Sequence, residues 1–266
     1  MKITKITAQK KNENRLNLFI DDGSGERYGF SLDMDVFAKY QLKKGMEIDE
    51  VVIQELLHED QIKKAFSLAL NYLSYRMRST KEIKEYLAGK EIDEGVIESV
   101  IERLNTYKYI NDLEFAKAFV RTKKRATVKG PMLLQRELQE KGITGRNADA
   151  GLAEYSFGEQ VDVATQFAKK KQKQYKKESA VQAEQKIKQA LMQKGFSFDV
   201  INEAVSELQL NGESAEWEAL RHQAEKAERK YRKYEGREFD LKVKQYLYRR
   251  GFSMEQINKW LNHRFE

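Results

Sequence analysis

Residues 191–205 read LMQKGFSFDVINEAV, and residues 247–261 read LYRRGFSMEQINKWL. Two earlier segments share the same pattern: LAGKEIDEGVIESVI at residues 87–101 and LQEKGITGRNADAGL at residues 138–152. The four segments follow one another at intervals of 51, 53 and 56 residues. A recurrence at a period of this length is typical of tandem structural repeats. The sequence therefore predicts four repeats after about residue 61.

Each of the last three segments contains a glycine that we interpret as a helix stop. Basic residues precede Gly142, Gly195 and Gly251, and an apolar residue follows each of them. A glycine in the left-handed conformation satisfies unpaired carbonyl groups at a helix end, and the next apolar residue packs back on that helix. The first segment has Glu91 in place of the glycine, with Gly89 two residues earlier, so we expect its turn to be shifted.

Two more helical stretches precede each segment. Residues 65–75 have helical apolar spacing and are followed by STKE at residues 79–82, which has the sequence of a capping box. In the second repeat, residues 115–120 form the first helix, and Pro131 marks the start of the second, because proline suits a first turn. Asp112, in YINDLEF, is interpreted as an N-cap rather than as an acid catalyst. Each repeat therefore contains three helices.

The first sixty residues have a different pattern. Alternating apolar residues flank DDGSGE at residues 21–26, which predicts a β-hairpin. Ile3 and Ile6 indicate a third strand, and a short helix is expected near Val36 to Leu42.

The expected fold class is mainly α: tandem three-helix repeats forming an elongated curved body, with a small β-rich N-terminal module. The expected domains are the module at 1–60 and repeats at 61–111, 112–156, 157–209 and 210–266. The alternative is a globular helical bundle whose internal similarity is coincidental.

Charge is distributed unevenly along the 266 residues. The formal net charge is +7, made up of −3 over residues 1–60 and +10 over the remainder. Such an excess of positive charge attracts polyanions, of which nucleic acid is the commonest inside cells. A membrane surface or an acidic protein would be alternative partners.

The absence of cysteine excludes disulfides, thiol catalysis and zinc sites with cysteine ligands. The first residues, MKITKITAQKKN, lack the apolar stretch of a signal peptide, and no apolar run is long enough to span a membrane. We therefore expect a soluble cytoplasmic protein.

The sequence offers little for catalysis. His58, His222 and His263 are far apart, and HEDQI at His58 has Ile62 where the HExxH zinc motif requires a second histidine. No glycine-rich loop of the phosphate-binding type occurs, and the carboxylates lie among lysines at helical spacings, as solvated ion pairs do. We expect a protein that is not an enzyme and that has no cofactor and no metal.

Basic clusters recur between the first and second helix of each repeat. The candidate contacts for DNA or a protein partner are Arg76, Arg78, Arg121, Lys123, Lys124, Arg125, Lys129, Lys169, Lys170, Lys173, Lys176, Lys177, Arg229, Lys230, Arg232 and Lys233. If the repeats stack in similar orientation, these clusters form one positive track along the phosphate backbone. The alternative is that the charges only solvate helix ends and complement the helix dipole.

Tyrosines are interleaved with these clusters at Tyr72, Tyr75, Tyr107, Tyr109, Tyr175, Tyr231 and Tyr234. Some of them could stack on exposed bases. Most are expected to belong to the core instead. No arrangement is specific enough to read a base sequence, so any DNA contact should be directed at the backbone.

Three stretches of the sequence are distinctive, namely ALNYLSYRMRSTKEIKEYL at residues 69–87, YINDLEFAKAFVRTK at 109–123 and LLQRELQEKGI at 133–143. Together they resemble the RecX family of recombinase regulators. The resemblance implies tandem three-helix repeats and a modulator that binds the RecA filament on single-stranded DNA and restrains its activity in DNA repair and recombination. Many family members look like three repeats, whereas this chain has four and a β-rich module.

The partners expected on this basis are the RecA filament and the backbone of single-stranded DNA, with duplex DNA as a further ligand, no membrane and a monomeric chain. The mechanism implied is that a curved body in the filament groove makes many weak contacts that add by multivalency. Two alternatives are a stand-alone, sequence-nonspecific DNA-binding or architectural protein and an enzyme of unfamiliar type.

Overall fold

The computed structural model describes residues 1–10, 12–208 and 212–263. The chain divides into two compact units, one comprising Met1–Phe115 with Lys141–Ile143, the other Ala116–Glu140 with Thr144–Glu266. The fold is mainly α with a small antiparallel sheet at the N-terminus, which confirms the expected fold class.

The N-terminal module contains a three-stranded antiparallel sheet in the order β1 (Lys2–Gln9), β2 (Asn12–Asp21), β3 (Glu26–Asp33). The expected hairpin is confirmed, and its turn is held by the Asp21 carboxylate, which accepts from Gly23 N at 2.8 Å and Gly25 N at 3.1 Å. One face of the sheet packs on α1 (Met34–Lys39) and on the first half of α2 (Glu50–Ser74).

Helix α1 begins and ends earlier along the chain than the sequence indicated. Its start is fixed by the Asp33 side chain, which accepts from Asp35 N at 3.0 Å. It ends before Gln41, whose φ of +50° is incompatible with a continuing right-handed helix.

Helix α2 is a single helix of 25 residues that serves two cores. Ile53 and Leu56 pack in the core of the N-terminal module, whereas Ile62 and Ala65 pack in the core of the first repeat. The expected division between residues 60 and 61 therefore falls inside a helix. At this point the buried Asp60 pairs with Arg15 of β2 at 2.9 Å and accepts from the backbone N of Asp33 at 2.7 Å.

The first repeat consists of α2, α3 (Thr80–Ala88) and α4 (Glu94–Thr106). The capping box is confirmed, with the Ser79 and Glu82 side chains bonding each other's backbone N–H. The expected shift of the turn after α3 is wrong. Glu91 itself adopts the left-handed conformation, with φ +59°, while Gly89 is right-handed with φ −66°. The helix-ending geometry is therefore kept without the glycine.

The other repeats repeat this order of three helices. They comprise α5 (Asp112–Ala126), α6 (Pro131–Glu140) and α7 (Gly145–Leu152), then α8 (Phe157–Gln174), α9 (Ala180–Gln193) and α10 (Phe198–Ser206), and finally α11 (Glu213–Tyr231), α12 (Gly236–Arg249) and α13 (Met254–His263). The division between the two units falls within α5.

The interpretation of Asp112 as an N-cap is wrong. Asn111 caps α5, because its side chain accepts from Leu113 N at 3.0 Å and Glu114 N at 3.1 Å. Asp112 instead accepts from Thr80 N, at the start of α3, at 2.8 Å. The carboxylate therefore satisfies an unpaired donor of the preceding repeat.

Within the second unit, each glycine stop also lies against the start of the second helix of the preceding repeat. A Cβ at Gly195 would lie 2.8 Å from Leu133 N, and one at Gly251 would lie 2.9 Å from Ser179 Oγ. Gly130 N donates to Lys194 O at 2.7 Å, and Ser179 Oγ donates to Arg250 O. The glycines are thus required both for the positive φ and for the close approach of neighbouring repeats.

Candidate nucleic-acid interface

The expectation that the basic clusters lie at the junctions between the first and second helix of each repeat is only partly correct, because in the last three repeats they begin inside α5, α8 and α11 and continue into the junction that follows. These junctions are residues 75–79, 127–130, 175–179 and 232–235. Lysine and arginine in the last turns of α5, α8 and α11 complement the negative end of the helix dipole, so local electrostatics favours this placement whatever the function; the last turn of α2 has no basic residue. The tertiary partners of each cluster decide how much of its charge faces solvent.

In the first repeat both candidate arginines are engaged. Arg76 pairs with Glu82 at 2.8 Å, and Lys141 bonds the same carboxylate at 2.8 Å. Burial alone would raise the pKa of Glu82, but hydrogen bonds from Arg76, Lys141 and the backbone of Ser79 lower it to about 2.

The Arg78 guanidinium lies 3.9 Å from the ring centroid of Tyr72, and that ring also stacks on Tyr86 at 4.0 Å. Two groups at this distance must lie on opposite faces of the Tyr72 ring. Both faces are therefore occupied, and no face of Tyr72 remains for a base.

In the second repeat, carboxylates from later in the chain neutralise most of the cluster. The ion pairs are Arg121 with Glu154 at 3.8 Å, Lys123 with Glu137 at 3.1 Å, Lys124 with Glu159 at 2.7 Å, and Lys129 with Glu137. Lys124 is a poor candidate for a DNA contact, since its side chain is only 13% accessible. Arg125 is exposed and forms no ion pair within the described residues.

The third repeat carries the largest group of unpaired cations. Lys169, Lys170, Lys173, Lys176 and Lys177 are exposed, and none of them forms an ion pair in the part of the chain that the structure describes. The first three lie on the last two turns of α8, and the other two lie in the junction after it. Unpaired, solvated ammonium groups keep their full attraction for phosphates.

Helix α11 of the fourth repeat runs beside this junction and adds charge to it. Gln223 Nε2 donates to Lys177 O at 2.7 Å, and the Glu216 carboxylate accepts from Ala180 N at 2.9 Å. Partial burial, with the positive charges of Lys226 and Lys177, lowers the pKa of His222 below its ordinary value. Sequence reasoning set His222 aside as isolated, because only the fold brings it to these lysines.

The remaining candidates of the fourth repeat are exposed but partly engaged. Arg229 lies 3.9 Å from Glu225, Lys230 lies over the rings of Tyr231 and Tyr246 at 5.3 and 5.5 Å, and Lys233 lies over Tyr234 at 5.1 Å. Arg232 is exposed and has no ion pair among the described residues.

The second helices of the last three repeats follow one another end to end. The C-terminus of α12 meets the start of α9, and the C-terminus of α9 meets the start of α6. Because α9 and α12 have 14 residues each, consecutive junctions in this unit lie about 21 Å apart. The three basic junctions of the second unit therefore recur at a regular interval.

Two other classes of site find no support in the described residues. They contain no group of three or more histidine, cysteine, aspartate or glutamate side chains placed to hold a metal ion. They also contain no helix that is both long and apolar enough to cross a membrane.

Family models match almost the whole chain. The model of the regulatory protein RecX N-terminal domain matches residues 1–49, and those of the first and second RecX three-helix domains match 65–104 and 111–152. The model of the third three-helix domain matches twice, at 158–205 and 214–261. The fourth repeat is thus similar to the third.

Full-length relatives carry the same description. The regulatory protein RecX of Bacillus subtilis (strain 168) is 48% identical over 261 residues, which cover 97% of each chain, and that of Bacillus licheniformis is 47% identical over 98% of each chain. A crystal structure of regulatory protein RecX aligns with a TM-score of 0.69 at 33% identity, over 77% of this chain and 99% of that one. RecX from Lactobacillus salivarius aligns with a TM-score of 0.56 at 37% identity, over 57% of this chain and 99% of that one.

Proposed function

Because the chain belongs to the RecX family of regulatory proteins, we propose that it binds the RecA filament on single-stranded DNA in the cytoplasm and restrains recombinase activity. The observation that carries this proposal is the group of five unpaired lysines of the third repeat, beside Lys226 and Arg229 of the fourth. A solvated cationic surface of this kind is suited to phosphate oxygens and not to reading base edges.

The proposed mode of binding is multivalent. Junctions about 21 Å apart in the second unit offer several weak contacts that belong to one chain, so the second and third contacts form at high effective concentration. The third junction is the proposed centre of the contact, because the cations of the second are largely paired with carboxylates. The chain is proposed to act as a monomer.

The test compares bare single-stranded DNA with the same DNA coated by RecA in ATP, at matched salt. We expect preferential association with the coated DNA and inhibition of the filament's ATPase activity. Equal binding to both without inhibition would contradict filament regulation and favour the alternative of a stand-alone DNA-binding protein.

Charge reversal tests the surface itself. The double substitution of Lys176 and Lys177 by glutamate should weaken binding at least tenfold, because each change replaces an attraction for phosphate by a repulsion. The matched control is the same change at Lys43 and Lys44, an exposed lysine pair in the N-terminal module. Equal affinity of the two variants would assign the third junction to solvation alone.

A further inference from the structure

The turn after α4 exposes two tyrosine rings on either side of a lysine. Tyr107 is 64% exposed and Tyr109 is 56% exposed, although both are large aromatic side chains. Their ring centroids lie 6.0 and 6.3 Å from that of Phe66 on α2, and 6.2 Å from each other at an angle of 59°. Phe66 is partly buried against the core of the first repeat, so its contacts link the two exposed rings to that core.

The backbone of this turn places Lys108 in an unfavourable conformation. Its φ is +58°, in the left-handed region, which is strained for a residue with a Cβ and which glycine adopts freely. The helix end itself is satisfied, because Lys108 N donates to Asn105 O and Tyr109 N to Leu104 O, both at 2.9 Å. A glycine would therefore end α4 equally well, and the fold does not require the lysine.

The side chains of this turn combine exposed aromatic rings with an unpaired cation. Lys108, which lies between the two tyrosines in sequence, forms no ion pair within the described residues, so its ammonium group keeps its full charge. Unlike Tyr72, whose ring lies between Arg78 and Tyr86, these tyrosines have more than half of their surface free. An exposed aromatic face beside an unpaired cation is the combination that binds an unpaired base and its phosphate.

We propose that Tyr107 and Tyr109 stack on unpaired bases of single-stranded DNA while Lys108 contacts the adjacent phosphate. The occupant is single-stranded because the bases of a duplex are already stacked on each other and present no free face. The site rests on the proposed function in that both need single-stranded DNA, but it uses base faces, whereas the lysines of the third repeat use phosphates.

The test uses two fluorescent oligonucleotides with the same number of phosphates, one of deoxythymidine and one abasic throughout, and measures their affinity for the full chain. Wild type should bind the base-bearing oligonucleotide more tightly. The double variant Tyr107→Ala with Tyr109→Ala should bind it about tenfold more weakly than wild type and bind the abasic one unchanged. The double phenylalanine variant should keep wild-type affinity, because it retains both rings.

Two controls separate this site from the basic junctions. Tyr28→Ala, at an exposed tyrosine of β3 in the N-terminal module, should leave both affinities unchanged. Charge reversal at Lys176 and Lys177 should weaken the binding of both oligonucleotides equally, because these lysines are proposed to contact phosphates, which both oligonucleotides contain. One result would overturn the base-stacking site and leave the proposed function standing. In that result, the Lys176 and Lys177 reversal abolishes filament binding, whereas the tyrosine variants bind like wild type.

The remaining outcomes also decide the matter. Equal weakening of both oligonucleotides by the tyrosine substitutions would overturn base stacking. A loss of filament binding with no change on bare DNA would show that the turn contacts protein instead, and would overturn it as well. If wild type binds neither oligonucleotide, the inference is wrong, while filament regulation is judged by the ATPase measurement.

Discussion

Gly195 has two structural roles at one position. Its φ of +82° ends α9, and the absence of a Cβ lets the turn lie against Leu133 of the preceding repeat. A side chain of any size there would be strained in its backbone and would also push the two repeats apart. The helix stop was predicted from the sequence, whereas the close approach was not, because the repeat on the other side of the contact lies some sixty residues earlier in the chain.

Gly195→Ala should therefore destabilise the protein by roughly 2 kcal/mol or more, which combines the left-handed penalty with overpacking. The measurement is urea unfolding followed by circular dichroism. The matched control is Gly158→Ala in α8, where a Cβ would meet no atom within 4 Å and a gain of up to about 1 kcal/mol is expected. Equal stability of the two variants would contradict the packing role of Gly195.

Glu82 makes the free energy of unfolding depend on pH in the acid range. Its pKa is about 2 in the folded chain against an ordinary 4.5, so the unfolded chain takes up a proton first as the pH falls. The stabilisation is complete above about pH 4.5 and is lost as the pH falls from there towards 2. Glu82→Gln should remove this part of the pH dependence and lower stability at neutral pH. Glu85→Gln, an exposed neighbour on α3, should change the curve little.

At the scale of elements, the second helix of a repeat begins with backbone N–H groups that lack partners within the helix, and some of them donate to carboxylates of the next repeat. Asp112 accepts from Thr80 N at the start of α3, and Glu216 accepts from Ala180 N at the start of α9. The corresponding position of α6 is Pro131, which has no N–H and needs no acceptor. The repeats are therefore joined by hydrogen bonds as well as by apolar packing.

Helix α11 contains a reporter for anions at the third junction. The pKa of His222 is lowered by partial burial and by Lys226 and Lys177. A bound phosphate would offset those positive charges and raise the pKa towards its ordinary value. We therefore expect the His222 pKa, followed by NMR, to rise when single-stranded DNA binds, and DNA affinity to increase as the pH falls below the ordinary histidine range. The exposed His58 on α2 serves as the control. An unchanged His222 pKa in the complex would contradict binding at this junction.

Sequence periodicity predicted the elements better than it predicted their electrostatics. The helix stops, the capping box at Ser79 and the hairpin are encoded within a few residues of each other, so they could be read locally. The neutralisation of Lys124 depends on Glu159 in a different helix, 35 residues away. The contrast between a largely paired second junction and an open third one therefore required the tertiary structure.

For the whole molecule, the formal net charge of +7 does not describe the charge that each junction offers to DNA. Carboxylates neutralise most of the second junction, whereas the lysines of the third are unpaired within the described residues. The log of the DNA-binding constant should fall linearly with the log of the salt concentration, by about 0.7 for each phosphate of single-stranded DNA that is neutralised. Reversal of Lys176 and Lys177 should reduce this slope by about 1.4 if each contacts one phosphate. The Lys43 and Lys44 reversal should leave the slope unchanged, and an equal reduction would mean that only overall charge matters.

The two cores served by α2 have a geometrical consequence. Helix α2 is about 37 Å long, and the ion pair between Asp60 and Arg15 joins the sheet to it near its middle. The number of residues in α2 therefore fixes the angle, about the helix axis, between the sheet and the other two helices of the first repeat. Inserting one residue near Gln61 would turn the sheet by about 100°, so changes of length at this point preserve the arrangement only in steps of about seven residues, or two full turns.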